Sequence, residues 1–344
     1  MRSWTAMSDL VRRARWPAVL LAALAAGFGG PGTLGAERSF FGPLPALDFH
    51  PLKMLFLHLP AEAAVLQAGT RWRIELEAVE TNTIASTSAA SLAPLLFDLE
   101  TTRVAVAARG KVGSRAELSV RLPLLRRWGG FLDPVIADVE RALGVLNPDR
   151  AAGKPENAVR YRLVLEGSEV FDLGGAAGLG DIAIGFRRPV WSSRSGATEL
   201  VARVEVELPT GSDERLFGNG RLDAGVGIDV THRGRHTAVY GTAGVVRPGD
   251  PASVPLDAEL FADAALAVEY RWSRRSSATV QLDYHGSPFR GPLPQELRQD
   301  LYELGLAVNW AAGRRAWIQL GLVENLTVRP AADVSLALRW VREF

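Results

Sequence analysis

Alternation with a period of two restricts this chain more than any other feature. From Trp72 onward, Trp72, Ile74, Leu76 and Ala78 interleave with Arg71, Arg73, Glu75 and Glu77. A helix of 3.6 residues per turn would scatter both sets around its circumference, whereas an extended strand sends successive side chains to opposite faces. The pattern returns in Leu118, Val120, Leu122 and Leu124 against Glu117, Ser119 and Arg121, and in Ile182, Ile184 and Phe186 against Asp181 and Arg187. Leu200, Ala202, Val204 and Val206 oppose Arg203, Glu205 and Glu207, and Leu222, Ala224, Val226 and Ile228 oppose Arg221, Asp223 and Asp229. Leu266, Val268 and Tyr270 oppose Glu269 and Arg271, Val280, Leu282 and Tyr284 oppose Gln281, Asp283 and His285, and Tyr302, Leu304 and Leu306 oppose Glu303. The last stretch sets Val334, Leu336, Leu338, Trp340 and Phe344 against Ser335, Arg339 and Glu343, with Arg342 out of phase. An all-β chain follows, built of strands with one apolar and one charged face.

Alternation alone does not choose the solvent on each face, because a soluble sandwich alternates too. The connections do. Short polar turns near 109–113, 191–197, 231–235, 273–275 and 311–315 alternate with longer links at 81–95, 126–179, 209–219, 248–258, 288–298 and 325–332. Trp72, Trp191, Trp272, Trp310, Trp317 and Trp340 all fall at the short-turn ends, where a periplasmic aromatic girdle would lie. The expectation is a transmembrane, antiparallel, up-and-down β-barrel of about twelve strands with tight periplasmic turns and long outer loops. Its strands fall at 69–80, 96–108, 114–125, 180–190, 197–208, 220–231, 236–247, 259–272, 276–287, 299–310, 315–324 and 333–344, the last closing on the first. Within 126–179, Asp133-Pro134 followed by Val135, Ile136 and Val139 before Gly144 predicts a short helix in one outer loop. Were Tyr161–Leu165 and a neighbour to join the wall, the count would be about fourteen.

Two segments precede the barrel, which takes up residues 69–344. Arg12, Arg13 and Arg15 lead into the apolar run Trp16–Phe28 and then Leu34-Gly-Ala36, so 1–36 reads as a signal peptide. That run is shorter than the roughly 20 residues a spanning helix needs. Residues 37–68 carry Pro43, Pro45, Pro51 and Pro60 and support neither a long helix nor a wall strand; they form a periplasmic leader or a plug in the barrel. Losing 1–36 removes four arginines and one aspartate and moves the formal net charge from +1 to −2, which gives no basis for a nucleic-acid partner. Cysteine is absent, which excludes thiol catalysis and disulfides.

By parity the lumen-lining candidates are Arg71, Arg73, Glu75, Glu77, Arg121, Arg187, Arg203, Glu205, Glu207, Arg221, Asp223, Asp229, Glu269, Arg271, His285 and Arg339. Such a set either lines a narrow polar path or pairs into a network that closes the barrel. His285 and Ser287 lie two residues apart, an arrangement similar to the His-x-Ser pair of outer-membrane phospholipase A, with Asn309 as a distant third member. Parity turns the pair inward, away from lipid. His232 and His236 flank a turn without further ligands beside them. The sequence therefore assigns no catalytic, cofactor or metal residues.

The amphipathic last strand ending in Phe344 resembles the assembly signal of bacterial outer-membrane barrels, which implies the barrel-assembly machinery, outer-membrane lipid and lipopolysaccharide as partners. Phe41-Gly-Pro-Leu44, Asp98-Leu-Glu100, Gly129-Gly-Phe-Leu-Asp133, Gly178-Leu-Gly-Asp181, Leu208-Pro-Thr-Gly211 and Glu324-Asn325 together resemble domain-of-unknown-function family 3187, a set of uncharacterised outer-membrane barrels. The resemblance implies the fold and an outer-membrane location, and carries no activity. The functional expectation is a passive channel or transporter for a small molecule. A closed structural or partner-binding barrel is the alternative, and a lipid hydrolase the third.

Overall fold

The computed structural model describes residues 40–64, 70–87, 94–113, 116–144, 158–291, 293–327 and 332–344. The signal-peptide expectation falls outside them.

Twelve strands close into one antiparallel barrel: β1 (Trp72–Ser86), β2 (Leu95–Val112), β3 (Ala116–Trp128), β7 (Ile182–Ser192), β8 (Thr198–Leu208), β9 (Asp223–Arg233), β10 (Thr237–Arg247), β11 (Phe261–Arg271), β12 (Ser276–His285), β13 (Leu301–Ala311), β14 (Ala316–Asn325) and β15 (Ala332–Glu343). Closure comes from β1 and β15, paired from Arg73↔Glu343 to Thr83↔Ala332, with a register shift at Asn82/Thr83. Strands β7 to β14 run 10 or 11 residues each, the length at which a tilted strand crosses a hydrocarbon layer. Their outward faces leave large apolar side chains uncovered: Leu76 is 45% exposed, Val226 52%, Leu266 57% and Leu338 50%. A water-soluble chain does not carry a continuous band of this kind, whereas a lipid-facing wall requires it.

Strands β1 and β2 are the longest and rise past the others at the long-loop end. There β4 (Arg160–Leu165) pairs with Leu95–Asp98 of β2 and with β5 (Ser168–Leu173), while β6 (Ala176–Leu179) pairs with the end of β3. The segment around Tyr161 therefore extends the rim without entering the wall, and the wall count is twelve. Helix α1 (Leu132–Leu143) forms where the apolar stripe predicts, but its N-cap is Phe131 and not Asp133. The Glu100 carboxylate of β2 accepts the backbone N–H groups of Phe131, Leu132 and Asp133, satisfying donors that a helix start leaves orphaned. Asp133 turns aside to accept from Asn82 Nδ2.

Five of the six girdle tryptophans, Trp72, Trp191, Trp272, Trp310 and Trp340, lie exposed or half-buried at the short-turn end. Trp317 does not. It is 0% exposed, on the inner face of β14 with Gln319, packed by Phe41 at 6.3 Å and under the Arg73 guanidinium at 5.1 Å. The girdle expectation rested on strand end alone; by parity Trp317 shares a face with Gln319, opposite Ile318, Leu320 and Leu322, and that face is the inner one. At the other rim Trp128 donates to Glu80 and Thr102, and Tyr284 stacks with Tyr302 at 5.2 Å. Arg342, out of phase in sequence, lies outward with its guanidinium 5.2 Å from the Phe344 ring, a cation–π contact at the rim.

The β1–β15 seam is open to a direct check, because the chain has no cysteine of its own. Ala78 and Leu338 are register partners. A short reagent carrying two thiol-reactive groups, such as a bis-methanethiosulfonate, should join Ala78→Cys to Leu338→Cys, retarding or compacting the chain on a denaturing gel, and should leave Ala78→Cys with Leu320→Cys unlinked. Equal linkage of both pairs would place the closure elsewhere.

Candidate functional site

The lumen is occupied by the chain itself. Residues 40–64 enter near the short-turn end, climb to a 3-10 turn at Lys53–Leu55, and descend again, so the segment is a folded-back plug. Phe40 and Phe41 sit low, beside Ala238, Tyr240, Ala267 and Trp317. Leu44, Ala46 and Phe49 pack at mid-height on Val79, Ala307, Val323 and Ala337. Leu52 to Leu59 reach the long-loop end, where Phe97, Leu99, Tyr161, Leu163, Phe171, Phe261, Phe289 and Leu297 close over them in one apolar cluster. Residues 40–64 thus do not form a periplasmic leader; the proline-rich composition that disqualifies them as a wall strand suits an irregular path inside one.

An irregular backbone inside a barrel must find partners for its N–H and C=O groups, and the wall supplies them. Glu269 accepts from Phe41 and Gly42, and Gln281 both accepts from Leu44 N–H and donates to its carbonyl. Asp223 accepts from Leu57, Asp263 from Leu59, and Thr231 from Ala64, at 2.8 to 2.9 Å. Arg203 and Arg187 donate to the Pro60 and Ala63 carbonyls. Small wall residues make the room: a Cβ on Gly321 would lie 2.6 Å from Leu44, and one on Gly225 would lie 3.2 Å from Leu59.

Glu62 is the plug's principal anchor. Its carboxylate pairs with Arg109 of β2, lies 2.9 Å from Arg187 of β7, 3.6 Å from Arg121 of β3 and 3.8 Å from Arg203 of β8. Burial alone would push this carboxyl up, but the four guanidiniums outweigh burial and hold it well below the usual glutamate range. The arginines have further partners: Arg187 meets Asp229 at 2.9 Å, and Arg203 meets Glu205 at 3.4 Å.

Between the plug and the inner face of β1–β3, β7 and β8 the packing is incomplete. Two cavities of about 40 Å³ each lie there, one toward the short-turn end and one toward the long-loop end. Arg121 and Ala183 line both, so these two residues stand between the cavities. The lower one is bordered by Arg73, Arg109, Arg121 and Arg339 and by Glu62, Glu75, Glu77 and Glu205, four charges of each sign. The upper one adds Arg103, Asp48, Asp181 and Glu207.

Of the residues expected inside by parity, Arg73, Arg187, Arg203, Glu205, Asp223, Asp229, Glu269, His285 and Arg339 are buried. Glu75, Glu77 and Arg121 are half-buried beside the lower cavity, and Glu207 beside the upper. Arg71 and Arg221 are exposed, each just outside the strand to which it was assigned. Arg271 is half-buried at the short-turn rim, 5.1 Å from the Phe40 ring. Arg103 and Arg109 were missed because β2 carries small alanines on both faces, although their spacing of six keeps them on one face of a strand. Glu62 had no periodic context to reveal it. The hydrolase grouping does not assemble: Ser287 Oγ donates to the Leu297 carbonyl, His285 Nδ1 faces Asp263 at 2.9 Å, and Asn309 bonds Ser277 and Thr279. His232 pairs with Thr198 at an exposed turn.

The fold has solved counterparts. An outer membrane channel of the COG4313 group from Pseudomonas putida F1 superposes with a TM-score of 0.57 at 16% identity, covering 82% of this chain and 98% of the other. The KdgM porin gives 0.41 at 5% identity over 79% of this chain and 99% of its own, and the toluene transporter TodX of P. putida 0.40 at 10% identity over 81% and 91%. No curated protein matches in sequence.

Loss of the Glu62 charge leaves Arg109 and its neighbours buried without that partner, a change that typically costs about 3–5 kcal/mol. Glu62→Gln should therefore expose residues 40–64 to protease or hydrogen exchange while the barrel stays heat-modifiable on gels. Since the native carboxyl is held below its ordinary value of 4.5, its contribution is complete above that value and fades only as pH falls toward the depressed one. The plug should be equally protected at pH 7 and pH 5.5 and loosen in stronger acid; loosening already at pH 5.5 would contradict the anchor.

The sequence pattern of the family described as "Protein of unknown function (DUF3187)" matches residues 36–341, and the chain belongs to that family.

Proposed function

We propose that the protein is a passive outer-membrane channel for a small polar molecule, with the path running between the plug and the β1–β3 side of the wall. The observation that carries this reading is the pair of charge-lined cavities stacked one above the other, with Arg121 lining both. The short turns are assigned to the periplasm and the long loops to the exterior, as in barrels of this construction.

Equal numbers of arginines and glutamates around the lower cavity give a solute donors and acceptors without a net field. A small neutral or zwitterionic molecule can exchange water for such a lining, whereas a simple ion gains no selective attraction from it. At about 40 Å³ apiece the cavities hold only a few waters, so permeation requires the plug or Arg121 to shift.

A second reading, a permanently closed barrel, draws on the apolar cluster sealing the long-loop mouth. Planar-bilayer recording separates the two. The channel reading expects small single-channel steps from the full chain with a reversal potential near zero in a salt gradient. It expects larger steps after Arg121→Ala and the largest after removal of residues 40–64. Silence from all three proteins, correctly inserted, establishes the closed barrel.

A further inference from the structure

Where the plug crosses β11 and β12, three buried side chains converge in a way that neither the channel reading nor the plug's backbone pairing uses fully. His58 comes from the plug, Asp263 from β11 and His285 from β12, and Asp263 and His285 are direct register partners. One potential ligand atom from each lies within 4.8 Å of the other two. His285 Nδ1 is 2.9 Å from Asp263 Oδ1, and His58 Nδ1 is 3.3 Å from the same oxygen. The rings stand nearly perpendicular, at 86°.

The outer nitrogens face oxygens as well, the second of them beyond hydrogen-bond distance. His58 Nε2 lies 3.2 Å from the Lys53 carbonyl, and His285 Nε2 faces Glu303 Oε2 at 3.6 Å. Each imidazole thus sits between two oxygen acceptors, while a neutral imidazole carries only one N–H. With both N–H groups directed outward, both Nδ1 lone pairs converge on the Asp263 carboxylate. One cation at that point would take both lone pairs. Asp263 is prepared for it: Leu59 N–H holds Oδ2 at 2.8 Å and leaves Oδ1 for the centre. Ligand atoms on a tetrahedral zinc, with bonds of about 2.0–2.2 Å, stand about 3.3 Å apart, close to the spacings found. Acceptors behind the two histidines are the second-sphere contacts that fix a metal-binding tautomer. Two neutral histidines, Asp263 and Glu303 together balance one divalent charge.

We propose that His58, Asp263 and His285 form a binding site for a divalent transition-metal ion, Zn²⁺ foremost, which fastens the plug to the barrel wall. The juxtaposition across plug and wall gives the site its consequence. A metal there ties the descending arm of the plug to two strands, and its removal leaves that arm on hydrogen bonds and the Glu62 pairs. The site does not depend on the channel reading, since a closed barrel would be clamped equally.

Full-length protein in detergent micelles, stripped by chelator and titrated calorimetrically with Zn²⁺, provides the test. One equivalent should bind, with a rise in the thermal unfolding midpoint. His58→Gln should weaken binding at least 100-fold and abolish that rise. His285→Gln should do the same, and His58→Gln keeps the question answerable if the wall variant fails to fold. A double His232→Ala, His236→Ala variant should bind as the parent does. Absence of a stoichiometric site in the parent, or equal binding by parent and His58→Gln, overturns the proposal.

Discussion

The arrangement depends on one carboxylate surrounded by arginines. Glu62 stands on an irregular segment with no ladder of its own, and Arg109, Arg121, Arg187 and Arg203 reach it from four different wall strands. A lone charge at this depth would be prohibitive, as would four buried guanidiniums without anions. Each side therefore requires the other: the wall arginines make a negative plug residue obligatory, and Glu62 sets the height at which the descending arm rests. Asp229, Glu117 and Glu205 complete the neutralisation, so the network is shared rather than pairwise.

That network changes the meaning of the inward charges. Lipid outside and plug inside impose different demands on the same strand. The outer face needs only apolar bulk, which is why Leu76, Val226 and Leu338 can be read from alternation alone. The inner face must match particular orphan groups of an aperiodic backbone, and Glu269, Gln281, Asp223 and Asp263 each answer a specific N–H of residues 41–59. Some of the charges that parity places inside thus support the plug, among them Arg187, Arg203, Asp223 and Glu269, while Glu75, Glu77, Arg121 and Glu207 face the cavities beside β1–β3.

The barrel, its strand count and its closing pair were legible because period two is a property of single strands and turn length a property of neighbours. Trp317 escaped because it was placed by strand end alone, although its parity with Gln319 against Ile318 and Leu320 turns it inward, and the β2 arginines escaped because small residues flank them on both faces. A plug was one of two readings of residues 37–68, and its path could not be read. Proline spacing shows what residues 40–64 are not, while their place in the lumen is decided by contacts far along the chain, such as Leu44 with Gln281 and Glu62 with Arg187. The meeting of His58 with Asp263 and His285 belongs to the same class: cross-strand register and plug height must both be known before the three residues are neighbours.

The wall grips the plug unevenly, and this asymmetry bears on how a path could open. Strands β8 to β14 hold residues 40–64 through backbone hydrogen bonds and through wall positions left small, Gly225 and Gly321 among them. Below the apolar contacts of Val79, Phe97 and Leu99, strands β2 and β3 reach the plug through Arg109 and Arg121 beside Glu62, and there the lower cavity lies. Hydrogen bonds to a fixed backbone have one register, whereas a guanidinium on a flexible stem can exchange one carboxylate for another within reach. Arg121 has that choice, standing 3.6 Å from Glu62 and 3.9 Å from Glu205. In the channel that we propose, a small solute would therefore pass by displacing side chains on the β1–β3 side while the plug keeps its bonds to the opposite wall, so that ejection of the whole segment is not required.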